Sequence, residues 1–233
     1  MKRYKSKTKS YSAKTCTFAH VEVYLRMTSR KRPINLPEKV ATPLFFVEEL
    51  RGNMLSLETE RLFLRDFSMK DWDALNAIIS DPEVTRFMHF ASWEEVKRRE
   101  WFTRLVQDVG NQKRYNWAVT LRSNGMLIGW FFIGGAEEGP RGCGYALNLR
   151  FWGQGYMPEA ARAVFAYEFT VLGTPRIIAE CEVQNTASAR VMQKSGMIYE
   201  GTSYNADFEG NWAMRHCYAI SKQDWEIVSG AKK

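Results

Sequence analysis

The stretch from Tyr145 to Ala161, YALNLRFWGQGYMPEAA, constrains this chain more than any other. It opens as a β-strand, breaks at Gly153 and Gly155, and resumes as a helix with Pro158 expected at the first helical position and Glu159 in the first turn. Two glycines one residue apart let the backbone turn tightly with its N–H groups facing inward and no Cβ in the way. A proline at the start of a helix sacrifices no hydrogen bond, because that N–H has no intrahelical acceptor. A strand, a nest of amides and a helix N-terminus together make a seat for phosphate. With Arg150 three residues ahead of Gly153, the stretch reads R-x-x-G-x-G.

Two common nucleotide motifs are excluded. A P-loop needs Lys after its second glycine, and the dinucleotide fingerprint needs a third glycine where this chain has Pro158. What is left from the residues alone is a strand-to-helix turn whose backbone amides could seat a phosphate or carry no ligand at all.

The formal charge of +7 suggests nucleic acid until it is divided along the chain. Residues 1–53 carry 12 Lys/Arg against 4 Asp/Glu, and residues 54–233 carry 21 against 22. The basic excess therefore belongs to the N-terminal piece, expected to be a mobile extension (1–53) ahead of a folded domain (54–228) and a short tail (229–233). The near-neutral domain gives no signal for nucleic acid. With 45% apolar residues but no run long enough to span a bilayer, no membrane partner is expected. The four cysteines, Cys16, Cys143, Cys181 and Cys217, are scattered without metal-ligand spacing, a pattern that suits a reducing cytoplasm.

Along the chain, LETERLFLRDF reads as a first strand. Ser68 with Asp71 opens a helix to Ser80, and Ser92 with Glu95 opens a second that closes at Gly110. Tyr115–Arg122 and Leu127–Ile133 flank a Ser-Asn-Gly turn and read as a hairpin. After the strand near Gly144–Leu149 and the glycine loop come a helix from Pro158 to about Leu172, a strand over Pro175–Val183, a helix headed by Asn185, and strands over Met197–Tyr204 and Trp212–Ile220. The order βααβββαβαββ predicts a mixed α/β (α+β) domain with a largely antiparallel sheet.

Five segments in this order, LETERLFLR, GYALNLRFWGQGYMPEA, RIIAECEVQNTASARVMQKSGM, the Glu200-Gly201 pair and GNWAMRHCYAISKQDW, resemble the GNAT superfamily of N-acetyltransferases. The likeness is greatest to its ribosomal-protein-alanine N-acetyltransferase branch. It implies the GNAT fold, with acetyl-CoA as co-substrate in a cleft where the fourth and fifth strands splay apart. The pyrophosphate would meet Arg150 and the amides of Trp152, Gly153, Gln154, Gly155 and Tyr156. The pantetheine would pair with the strand through Leu147 and Leu149. Asn185 could cap its helix, donate to the pantetheine, or do both, and Arg190 could reach a phosphate.

Acyl transfer needs a proton for the departing thiolate and a base for the attacking ammonium. The tyrosine that many GNAT enzymes use as the acid falls here on Met192, which cannot donate. The resemblance points instead to Ser188 as the acid and to Asp207 as the base, with Glu182 as a second candidate. The acceptor would be a protein N-terminal amine or a small primary amine, and either a monomer or a homodimer fits. The alternative is a non-catalytic acyl-CoA sensor or interaction module that keeps the seat and performs no transfer.

Overall fold

The computed structural model describes residues 45–46, 56–108, 114–135, 139–206, 210 and 212–230. Most of the basic N-terminal piece, Gly110 and Asp207 lie outside the described residues, so the expected mobility of that piece, the expected helix stop and the base candidate do too.

Among the described residues one sheet holds nine strands. They are β1 (Phe45–Phe46), β2 (Ser56–Glu58), β3 (Leu62–Arg65), β4 (Arg114–Leu121), β5 (Leu127–Gly135), β6 (Arg141–Leu147), β7 (Arg176–Glu182), β8 (Ile198–Ala206) and β9 (Trp212–Ser221). The order across the sheet is β1-β2-β3-β4-β5-β6-β7-β9-β8. The helices are α1 (Trp72–Ile79), α2 (Pro82–Thr85), α3 (Glu95–Gln107), α4 (Tyr156–Thr170), α5 (Thr186–Lys194) and α6 (Lys222–Ser229).

The expected single first strand is two. Thr59 Oγ1 accepts from Leu62 N (2.9 Å), and Thr59 N donates to Leu62 O (2.9 Å), folding the chain into an antiparallel β2–β3 pair. The β4–β5 hairpin is as read: Gly125 takes φ +71°, and Asn124 Oδ1 accepts from Met126 N (3.0 Å). Ser68 N donates to Asp71 Oδ2 (2.7 Å), as the capping box requires, and Ser68 Oγ donates to the same oxygen (3.0 Å), although the first turn is 3-10 before α1 begins at Trp72. Helix α6 lies beyond the last strand expected from the sequence: Ser221 and Asp224 form a capping box that opens it, and the Trp225 ring packs 5.6 Å from that of Phe169.

Helices cover both faces of the sheet, which therefore has two cores. On one face α4 lays Ala160, Ala161, Val164 and Phe165 against Trp117, Val119 and Phe131. On the other, Leu75, Ile78 and Ile79 of α1 and Phe102 and Leu105 of α3 cover Ala118, Leu127 and Trp130. Trp93 and Trp101 pack against this second core, with Trp101 edge-on to Trp130 at 5.4 Å.

Every strand pair is antiparallel except β6 with β7, which are parallel and meet at only two positions, Arg141 with Ile177 and Gly142 with Ile178. From Cys143 onward the two strands part. Their closed end is pinned by a buried pair: Arg141 Nη1 donates to Glu168 Oε2 of α4 (2.9 Å), which also accepts from Thr174 Oγ1 (2.5 Å).

Two carboxylates beside β3 respond to pH in opposite senses. Asp71 is buried, which works against ionisation, but two parallel bonds from Arg65 (2.8 Å each) and those from Ser68 hold it below the ordinary range. Asp66 is 5% exposed, its Oδ2 meets no partner among the described residues, and burial outweighs Arg65 to raise it to about 6. A folded-state value above the unfolded one contributes stability that is complete below about pH 4 and is lost as pH rises through about 6. That loss is of order 3 kcal/mol at most. Asp66→Asn is therefore expected to flatten the fall in thermal midpoint between pH 4 and 6, and a profile parallel to the wild type would overturn this assignment.

Candidate active site

Where β6 and β7 part, a cleft of about 480 Å³ opens between β6, the glycine loop, the N-terminal part of α5 and the segment after α2. Its floor ends at Leu147, two residues earlier than expected. Asn148 stops the strand: its Oδ1 accepts from Arg150 N (3.0 Å) and starts a 3-10 turn over Leu149–Phe151. Leu149 is consequently exposed and off the strand, which corrects its expected pairing with a ligand. Arg150 and Gln154 are also exposed and do not line the cleft. Gln154 Nε2 instead donates to Arg150 O (2.8 Å), closing the turn.

Gly153 and Gly155 take φ +76° and +82°, and Gly155 caps α4. Helix α4 thus starts at Tyr156, and Pro158 is its third residue rather than its first, still within the turn that lacks intrahelical acceptors. The amide of Trp152 is committed to Leu149 O (3.1 Å), so the nest is displaced by one residue from its expected span. Among the described residues, the N–H groups of Gly153, Gln154, Gly155, Tyr156 and Met157 meet no protein acceptor. Trp152 contributes its indole, which donates to Leu147 O (2.7 Å) and ties the loop to the strand end.

This loop has a brace that sequence reading missed. Glu159, 5% exposed, accepts from Thr59 Oγ1 (2.5 Å), Arg61 N (3.0 Å) and Arg61 Nε (2.6 Å). Arg61 Nη1 donates to Gln154 O (3.0 Å), and the guanidinium lies 4.3 Å over the Tyr156 ring. The Thr-Glu-Arg step that breaks the first strand and the glutamate in the first turn of α4 are therefore parts of one clamp on the glycine loop.

Across the cleft, Asn185 Oδ1 caps α5 by accepting from Ser188 N (3.0 Å), which leaves Nδ2 as a further donor. Asn185, Ser188 and Arg190 line the cleft together with Leu147, Trp152, Gly153, Gly155 and Tyr156. Met192 does not: it is 1% exposed in the core, which explains an apolar residue there. Glu182 faces Arg215 at 4.0 Å and is not part of the lining. Tyr145, unassigned from sequence, enters from β6 with its hydroxyl 2.9 Å from Ser188 Oγ. Its only sequence signal is a polar-tipped aromatic on the strand that carries the glycine loop.

A sheet that splits at one parallel pair, with an amide nest at the mouth of the split, is the architecture of a CoA-dependent acetyltransferase. Residues 61–198 match the family model described as an acetyltransferase (GNAT) domain. The chain belongs to the GNAT family and is an N-acetyltransferase. It is 32% identical over 173 residues to a Bacillus subtilis (strain 168) protein named as an uncharacterized N-acetyltransferase, YnaD, covering 73% of this chain and 99% of that one. A solved GNAT-family acetyltransferase from Bacillus anthracis superposes with TM-score 0.64 at 30% identity, covering 72% of this chain and 99% of the other. The fold is also that of ribosomal-protein-S5-alanine acetyltransferase from Vibrio fischeri, with TM-score 0.57 at 20% identity over 73% of this chain and 98% of that one.

Proposed function

We propose that this enzyme transfers an acetyl group from acetyl-CoA to a primary amine, by direct attack within a ternary complex. The observation that carries the reading is the cleft itself, with unpaired amides at one end and the Ser188 hydroxyl along its wall. The amides from Gly153 to Met157 would hold the pyrophosphate, with Arg190 supplying positive charge from α5. The helix dipole adds about 0.3–1 kcal/mol, so the amide bonds carry most of the attraction. The half of β6 that has lost β7 would pair with the amide groups of the pantetheine arm.

When bound, acetyl-CoA supplies a thioester carbonyl to the amine. Ser188 would then protonate the sulfur as the C–S bond breaks. Asp207 remains the proposed base, and positioning of the two reactants supplies a further share of the rate. A protein N-terminal amine or a small amine is the proposed acceptor. The same seat would serve a sensor, but the paired hydroxyls of Tyr145 and Ser188 favour chemistry.

The test is thermal unfolding with and without acetyl-CoA, run beside free-thiol release with a panel of amines and N-terminal peptides. At about 100 times the dissociation constant, the ligand is expected to add roughly 2.7 kcal/mol. Ser188→Ala is expected to slow amine-dependent thiol release about a hundredfold, the lower range for loss of a general acid, with a smaller change in acetyl-CoA affinity. Undiminished turnover would remove Ser188 from the reaction, and no thermal shift in the wild type would remove the acetyl-CoA seat.

A further inference from the structure

We propose that Tyr145 is a positioning residue that sets the direction in which Ser188 offers its proton, so that the two hydroxyls act as a dyad across the cleft. The inference rests on the acetyl-transfer reading above. The two residues come from opposite walls, Tyr145 from β6 and Ser188 from α5, and both line the cleft. Tyr145 OH is 2.9 Å from Ser188 Oγ and 3.1 Å from Ser188 O.

The inventory of donors and acceptors makes this geometry directional. The Ser188 carbonyl can only accept, so the phenol proton goes either to that carbonyl or to Oγ. If it goes to Oγ, the serine proton is left free to point into the cleft or toward the sulfur of Cys181, a weak acceptor that Ser188 also faces. If it goes to the carbonyl, the serine proton rests on the phenol oxygen until a better acceptor arrives.

Both partners are fixed. Ser188 N is held by the Asn185 cap, and the Tyr145 ring stacks on Phe131 with centroids 5.9 Å apart and planes 22° apart. Burial pushes the Tyr145 phenol above its ordinary range, against the lowering effect of Ser188, and pushes the neighbouring Cys181 thiol up to about 11. Near neutral pH both groups keep their protons, and of the two the phenol is the stronger donor and the thiol sulfur only a weak acceptor for Ser188. One turn further along α5, Met192 has no proton to give and is buried in the core.

In the reaction, Ser188 gives its proton to the sulfur as the C–S bond breaks and the C–N bond forms. The proton shed by the attacking nitrogen returns to Ser188 through solvent, and Tyr145 keeps its own proton throughout. Tyr145 would therefore favour the thiolate-facing orientation of Ser188 without touching the substrate.

The product CoA provides a test that needs no acceptor. An isotopic label on the methylene next to sulfur reports by NMR the pH at which the bound thiol ionises. Donation from Ser188 lowers that pH, so Tyr145→Phe is expected to raise the apparent pKa of bound CoA by about one unit. Ser188→Ala should raise it at least as much, and the double variant no further than Ser188→Ala alone. A Tyr145→Phe value equal to the wild type, with Ser188→Ala shifted, would overturn the dyad while sparing the role of Ser188. If both variants match the wild type, that role fails as well. If Tyr145→Phe does not fold, a ring-fluorinated tyrosine at 145 reads the same property with opposite sign: a more acidic phenol lowers the thiol pKa, and an unmoved value overturns the inference.

Discussion

Glu168→Ala is expected to cost about 3 to 5 kcal/mol of folding stability, the range for removing one partner of a buried ion pair. Arg141 and Glu168 are 7% and 1% exposed, so the remaining guanidinium would have little water to replace the carboxylate, and Thr174 would lose its acceptor as well. The loss arises from taking a carboxylate away from a buried guanidinium, not from the full worth of the pair. Replacing both residues by apolar ones of similar volume, Arg141→Met with Glu168→Leu, should therefore recover much of it. Denaturant unfolding of the single and double variants checks this. A single variant within 1 kcal/mol of the wild type would show that the pair does not hold the closed end of the β6–β7 split.

Gly155→Val is expected to abolish acetyl-CoA binding, at least a hundredfold in dissociation constant, roughly 2.7 kcal/mol. Space is not the obstacle: a Cβ at 155 would meet only Arg61 Nη2, at an ordinary 3.5 Å. The obstacle is φ +82°, which a β-branched residue avoids. Relieving it rotates the peptide and turns away amides proposed to hold the pyrophosphate, each charge-assisted bond being worth about 1.5–3 kcal/mol. Gly173→Val is the control, since Gly173 has a similar φ of +69°, also has an open Cβ position, and lies in the turn after α4 outside the cleft lining. It should carry comparable backbone strain and keep the ligand-dependent thermal shift. Binding that survives in folded Gly155→Val would remove the glycine loop from the seat.

Features written in consecutive residues were legible in the sequence. The Asn124-Gly125 turn, the Ser68–Asp71 box, the Asn185 cap and the glycine pair each depend on groups within four positions of one another, so composition and spacing reveal them. The displaced readings have equally local causes of a finer kind. Asn148 ends its strand by bonding its own backbone two residues on, which moved Leu149 off the sheet. Gly155 starts α4 early enough to make Pro158 its third residue. The Ser221–Asp224 box that opens α6 was within reach of the rule that located Ser68 and Asp71.

The long-range partnerships were not legible. Arg61 meets Glu159 across 98 positions, and Tyr145 meets Ser188 across 43. Each residue alone fits an exposed strand arginine, a first-turn glutamate, a sheet aromatic or a helical serine. Only the fold joins them, and it does so at the two places where the site needs rigidity.

The brevity of the β6–β7 pairing bears on how the domain is put together. A strand's amides and carbonyls alternate between its two neighbours, so beyond Gly142 the β7 side of β6 carries backbone groups that no strand among the described residues answers. The seam beyond them divides the sheet into a large panel, β1 to β6, and a small one, β7 to β9. A molecule that brings its own amides into that seam does the work of a missing strand. The enzyme's substrate would thereby become, while bound, a piece of its architecture.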